Sequence, residues 1–378
     1  LSNMCIFVNY GLKYDYECNV MDYGAKGDGK TDDTKAIQAA MNDCYLNNTK
    51  YNTSGLVILP SSKSFLSYPL YVTKITNAAF EIESSSTLII SNDRDNWPSD
   101  ADFLVFHESN NIEIFGGGLI NGQGEIWWAN QGKFAPRTIY CHDCTNLLIT
   151  NITIKDPPYH TLELYADNTE VSYVTILAPP STGVPPNEQS HNTDAVDVHG
   201  SPFWIHDCYF DTGDDNVAVH ANDTLVENCY FGNGHGASIG SLEEGYYKNI
   251  TFTNIVFNGT TNGIRIKSDS GSKTGKVSDV YFKNLSMNKV NNTIVINQYY
   301  PNNKTESSKF IFDGVYIENV TAVNSLNAGL FQCQETTPCH HIELTNVNIQ
   351  ATANNGQFEC EYAYGTASDT KPQSCLTP

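Results

Sequence analysis

One short phrase returns along the chain, a run in which apolar and polar residues alternate with a period of two around an Asn or Asp. It reads "NLLITNITI" at 146–154, "NTEVSYVTI" at 168–176, "PFWIHDCYF" at 202–210 and "DTLVENCYF" at 223–231. It returns as "YKNITFTNIVF" at 247–257, "VSDVYFKNLSM" at 277–287, "VYIENVTAV" at 315–323 and "HIELTNVNI" at 341–349. Alternation of this kind marks strands, and its return at spacings of roughly 21 to 30 residues predicts one coil of strands per repeat. Gly, Asn and Asp turns separate the runs, and no helix-length pattern alternates with them, which disfavours a doubly wound sheet. A β-sandwich also has short strands and turns. Asn-rich phrases at the same place in each repeat favour stacked coils, because identical amides can ladder there. The fold class expected is all-β, a right-handed parallel β-helix forming one domain over residues 1–378.

One stretch breaks the pattern. "KTDDTKAIQAAMNDC" at 30–44 places Ile37, Ala40, Met41 and Cys44 on one helical stripe with acidic residues in the first turn. It predicts a helix capping the solenoid, within a cap covering about 18–50. The tail, about 351–378, is polar and holds Cys360 and Cys375, a pattern that predicts a disulfide-tied end. The Pro-rich "APPSTGVPPNEQSH" at 178–191 interrupts the repeat, which then resumes, so it reads as a loop leaving the wall.

Charge narrows the partners. The formal balance of 21 basic against 42 acidic residues, −21, repels nucleic acid and anionic membranes. No apolar run approaches the ~18 residues of a membrane span. Eleven cysteines and Asn-x-Ser/Thr sequons at Asn47, Asn52, Asn151, Asn222, Asn249, Asn258, Asn284, Asn291, Asn303 and Asn319 point to a secreted glycoprotein. The start at Leu1, without a charged and apolar leader, is what a processed mature form would show. Surface disulfides are expected for Cys18 with Cys44, Cys333 with Cys339 and Cys360 with Cys375. Cys208 and Cys229, at matching places in adjacent coils, either bridge or form an inward pair of thiols. Cys141-His-Asp-Cys144 lacks a second pair at metal spacing and reads as structural.

The candidate chemistry lies between 192 and 267. Asp194, Asp214 and Asp215 stand among apolar runs, where carboxylates are costly unless paired, solvated or at work. An offset of 21 that lays Cys208 on Cys229 also lays Asp214 on His235 and Asp194 on Asp215, so the acids and the histidine fall in one sector. In "NGIRIKSDSG" Ile264 and Ile266 point one way, while Arg265 and Lys267 point toward that sector. Taken singly, Gly213-Asp214-Asp215 and Gly234-His235-Gly236 could be turns and the cations a solvated face. Together they describe acids able to move protons beside cations that suit an acidic sugar.

At these residues the sequence resembles the polygalacturonases of glycoside hydrolase family 28. The family's four signatures stand in order as Asn192-Thr193-Asp194, Gly213-Asp214-Asp215, Gly234-His235-Gly236 and Arg265-Ile266-Lys267, followed by Tyr300 after "IVI". The resemblance runs from "MDYGAKGDGKTDDTKAI" through "NGQGEIWW" to about residue 320. It implies that Asp214 is the general acid and that Asp194 and Asp215 hold and deprotonate the attacking water. It further implies that His235 tunes the acid, that Arg265 and Lys267 bind a galacturonate carboxylate, that Tyr300, with Tyr299 as neighbour, shapes the subsite, and that Asn192 is among the substrate-binding residues. No metal or other cofactor is implied, and the anomeric centre inverts. Carboxylates on adjacent coils would lie about 5 Å apart, a separation usually linked to retention; two acids holding the water beside the general acid reconcile it with inversion. Ala195 and Asn216 depart from the family's common Gly and Cys and leave endo or exo attack open. The expected protein is a secreted monomer acting on pectin. The alternatives are a rhamnogalacturonan or xylogalacturonan hydrolase and, from another class, a β-helix that binds acidic polysaccharide without cutting it.

Overall fold

The computed structural model describes residues 14–51, 53–129, 134–301 and 308–378. The chain divides into two compact units, one ending at Asp214 and the other beginning at Asp215. In each unit strands pair in parallel. In the first, Leu104 pairs with Ile139, Ile139 with Leu162 and Leu162 with Val196, and all four side chains are fully buried. Phe106, Cys141, Leu164 and Val198 repeat that register two residues on and fill the interior likewise. The second unit has matching columns in Val217, Ala237, Ile264 and Ile294, then in Val219, Ile239, Ile266 and Ile296. Burying each such aliphatic side chain contributes about 1.5–3 kcal/mol, so the stacked columns are the main source of cohesion.

These are coils of a parallel β-helix, with steps less uniform than the repeats suggest. Ile139 to Leu162 is 23 residues and Leu162 to Val196 is 34, while Val217 to Ala237 is 20. Loops of different length join strands that stay stacked in parallel. The longer step contains the Pro-rich stretch, which carries only a short 3-10 turn at Pro186–Glu188.

Asparagine marks the corners. In the second unit the Asn254 amide donates to Asn228 (3.2 Å), Asn284 to Asn254 (3.1 Å), Asn319 to Asn284 (3.1 Å) and Asn346 to Asn319 (2.9 Å). All five residues have φ between 52° and 56°. Asn tolerates this left-handed conformation better than other side chains, and its amide supplies a donor and an acceptor for the coils on either side. Shorter ladders join Asn258, Asn288 and Asn324, and also Asn262, Asn292 and Asn327.

The predicted capping helix forms at Thr34–Tyr51, with Ile37, Ala40, Met41 and Cys44 buried. Its acidic residues precede the first turn instead of lying in it. Asp32 accepts from the Thr34 N–H (3.0 Å), and Asp33 turns back to accept from the Lys26 and Gly27 N–H groups (2.7 and 3.0 Å). All three expected disulfides form, with Cα separations of 6.0 Å for Cys18–Cys44 and 5.8 Å for both Cys333–Cys339 and Cys360–Cys375. The C-terminal segment is more ordered than a polar tail. Phe358–Glu361 and Ala363–Lys371 pair in parallel with earlier strands and extend the solenoid.

Cys208 and Cys229 are buried thiols, not a bridge. Each turns to the carbonyl two residues earlier, at the end of the preceding strand, His206 O at 3.1 Å and Glu227 O at 3.2 Å. Cys141 and Cys144 are buried thiols as well. A bulge between His142 and Cys144, with Asp143 at φ 54°, lets two cysteines three residues apart both face the core. Cys5 and the sequons at Asn52 and Asn303 lie outside the described residues. Among the described residues no helix is long and apolar enough to cross a membrane.

Candidate active site

In the unit ending at Asp214, the loop after the Pro-rich stretch delivers Asn192 exposed, at φ 53°, then Thr193 and Asp194 buried. Thr193 is the fastener. Its hydroxyl donates to Ser190 O (2.7 Å) and accepts from the Gly213 N–H (2.9 Å), which fixes the turn that presents Asp214. Gly213 has no room for a side chain, since a Cβ there would stand 2.1 Å from Ser190 O. Asp214 itself is half-buried.

Asp194 has a neighbour that motif reading missed. His160 Nε2 lies 3.5 Å from Asp194 Oδ1, while His160 Nδ1 lies 2.7 Å from Glu163 Oε2 and 3.4 Å from Asp197 Oδ2. Behind them Arg137 pairs with Asp102 (3.2 Å) and Glu163 (3.5 Å) and lies over the Tyr140 ring. Burial pushes the His160 ring toward neutrality, but the Asp197 and Glu163 carboxylates, with Asp214, outweigh it and raise its pKa. Burial likewise pushes Glu163 up, yet His160 and Arg137 hold it below its ordinary value. Ligand atoms of His160, Glu163 and Asp197 lie close enough to hold a metal, as do those of His107, His142 and Asp143. In the first group the Glu163 and Asp197 carboxylates lie on the Nδ1 edge of His160 as its ion-pair partners.

The unit beginning at Asp215 gathers the other predicted residues. Asp215, 2% exposed, accepts from the Ser238 hydroxyl (2.7 Å) and Arg265 (3.2 Å) on Oδ1 and from Lys267 (3.0 Å) on Oδ2. Burial pushes its pKa up, but Lys267 and Arg265, then His235 and the Ser238 hydroxyl, hold it well below the usual carboxylate range. The Tyr300 ring covers both cations, 5.4 Å from the Arg265 guanidinium and 5.0 Å from the Lys267 ammonium. Ile264 and Ile266 face the core as predicted. Lys267 is no solvated charge, however: it is buried, because its partner Asp215 is buried beside it.

The coil register here also differs from the expected offset of 21. Val217 pairs with Ala237, a step of 20, which puts His235 level with Asp215 instead of Asp214. Asn216 is the cause. Its N–H donates to Gly236 O (3.1 Å), its Oδ1 accepts from the Gly236 N–H (2.9 Å) and its Nδ2 donates to Gly232 O (3.2 Å), bracketing the His235 turn from both sides. Gly236, at φ 88°, would place a Cβ 2.0 Å from Asn262 O, so only glycine fits. Replacing Asn216 by Ala orphans two buried backbone groups at about 1–3 kcal/mol each. Asn216→Ala is therefore expected to lower the thermal midpoint clearly while Asn192→Ala, on an exposed side chain, leaves it in place; equal midpoints for the two variants would refute the clasp.

The glycosyl hydrolases family 28 model matches residues 44–375. A probable polygalacturonase of Arabidopsis thaliana is 30% identical over 386 residues, covering 95% of this chain and 84% of its own. A polygalacturonase of Malus domestica is 29% identical over 365 residues, covering 90% and 75%. In fold, the chain is similar to an exopolygalacturonase from Thermotoga maritima, with a TM-score of 0.79 over 94% of this chain and 91% of that one at 18% identity. The signatures at 192–194, 213–215, 234–236 and 265–267 lie inside the matched span, and the chain belongs to glycosyl hydrolases family 28 as a glycoside hydrolase of the polygalacturonase type.

Proposed function

We propose that this enzyme hydrolyses α-1,4-galacturonosyl linkages of polygalacturonate, the backbone of pectin, with inversion. The observation that carries the reading is the pairing of one buried carboxylate, Asp215, with two cations under Tyr300. One negative charge balances only one of the two positive charges, which leaves the surplus for a uronate carboxylate. Asp214, half-buried on a braced turn, is the general acid that protonates the glycosidic oxygen. Asp194 and Asp215 hold the attacking water and take its proton; both are buried, and Asp215 stays ionised well into acid. His235 tunes the acid, and Asn192 meets the polymer from its exposed corner. The whole chain acts as a single secreted, monomeric catalytic domain, a reading supported by its disulfides and acidic charge.

Release of reducing ends from polygalacturonate, set against an Asp214→Asn protein, tests the reading, and the product sizes separate endo from exo attack. Preference for a rhamnose- or xylose-bearing polymer would favour the sister hydrolases. Binding without any cleavage would leave only the lectin-like alternative.

The cations make a sharper prediction. Arg265→Ala is expected to raise KM for polygalacturonate by about 10-fold or more, a charge-assisted hydrogen bond's worth, and to leave KM for fully methyl-esterified pectin nearly unchanged. The esterified polymer lacks the charge Arg265 meets, so equal effects on both substrates would sink the assignment.

A further inference from the structure

His160 is a charged group that the proposed chemistry does not yet use. Its ring stacks on Tyr159 (centroids 4.1 Å apart, planes 5° apart) and is enclosed by carboxylates on both of its nitrogen edges. A neutral imidazole donates from one nitrogen only, so it could serve Glu163 or Asp194, never both. Only the imidazolium presents a donor to Glu163 and Asp194 together, with the Asp197 carboxylate 3.4 Å from Nδ1.

We propose that His160 is the positioning residue of Asp194: its protonated ring, anchored at Nδ1 by Glu163 with Asp197 close by, holds the Asp194 carboxylate through Nε2, ionised and in one orientation, ready to accept the proton of the attacking water. This rests on the reading of Asp194 as a water-holding base. The strand Leu162–Ser172 supplies Glu163, and the segment leading into and through Val196–Gly200 supplies Asp194, Asp197 and His199. Arg137 faces Glu163 from the neighbouring coil, and Asp214 adds its charge from the end of the unit. His199 is held down to about 4, by burial first and then by the His160 and Arg137 charges, so it stays neutral where the cluster works. Arg137 keeps its charge throughout. His160 thus brings its Nε2 to 3.5 Å from Asp194 within this unit.

The sign follows from the charge. A cation beside a carboxylate favours its ionised form, so removing the His160 charge is expected to move the acid limb of the pH profile upward. His160→Gln keeps a donor of similar reach without the charge. It is expected to lower kcat on polygalacturonate about 10–100-fold, part of what general-base catalysis supplies, with KM within about 2-fold and the acid limb of kcat/KM raised by about one pH unit. Glu163→Gln, which loosens the anchor, is expected to move the same limb the same way by less. His160→Lys restores a charge and should return the limb toward its wild-type position. A His160→Gln enzyme with the wild-type acid limb overturns the proposal, whether or not kcat falls. Should that variant not fold, the limb in Glu163→Gln decides in its place. Asp194→Asn, assayed alongside, separates the two readings: full activity there defeats Asp194 as base, whereas an inactive Asp194→Asn with an unmoved limb in the His160 and Glu163 variants defeats His160 alone.

Discussion

Asp214→Asn is expected to cut kcat on polygalacturonate by about 10³–10⁴-fold, the share a general acid supplies, while the thermal midpoint stays within a degree or two of wild type. The carboxylate is half-buried, and the turn beneath it is held by bonds to backbone atoms. Gly213 is fastened by Thr193, and the Thr212 hydroxyl donates to the Asp214 backbone carbonyl (3.1 Å), which an Asn retains. Asp215→Asn should lose comparable activity and stability as well, since it leaves two cations without their buried counter-ion. The contrast between the variants is the test. If Asp214→Asn unfolds the chain, the residue is a turn former; if it stays active, another group donates the proton.

Lys267→Met is expected to destabilise the enzyme by about 3 kcal/mol, the cost of stripping one partner from a buried ion pair. Adding Asp215→Asn to it should recover part of that loss, because the stranded charge goes too. The effect depends on pH. Asp215 has its folded pKa depressed by these partners, so it contributes stability above the ordinary carboxylate pKa of about 4 and loses it as pH falls toward the lower folded value. The midpoint gap between wild type and Lys267→Met should therefore be widest near neutrality and narrow below about pH 4. A gap that stays constant from pH 7 to pH 3 would mean that Lys267 contributes only packing.

The interior columns were legible in the sequence because the signal is local: Ile264 and Ile266, or Val217 and Val219, announce an inward face within three residues. The four signatures were legible because each is short. What escaped depends on distance along the chain. Lys267 on an outward position reads as exposed until Asp215, 52 residues earlier, is laid beside it. Glu163 and Asp197 occupy the same outward position on paired strands, flanked by Leu162 and Leu164 or by Val196 and Val198, but matching them requires knowing how much chain the loop at 178–191 spends outside the wall. The register at His235 turned on backbone bonds to Asn216, which leave no mark in composition. Conversely, part of the sequon density is a signal of fold. Asn284 and Asn319 are rungs of the amide ladder, each followed by a residue that starts or continues a strand, so ladder and strand together spell Asn-x-Ser/Thr at those places.

The placing of the disulfides bears on how long such a protein lasts. In a solenoid each coil touches only its neighbours, so disorder enters at a terminal coil and advances one coil at a time. Cys18–Cys44 ties the capping helix to the first strand described, and Cys333–Cys339 with Cys360–Cys375 fastens the last ones. The covalent bonds thus close the doors by which unfolding would come in, and leave the stretch from Asp194 to Lys267 to stacked aliphatics and hydrogen bonds. Survival then becomes a question of rate more than of depth: where opening at the ends is slow, that step sets the lifetime among proteases, and the chemistry between them is free to keep its buried assembly of charges.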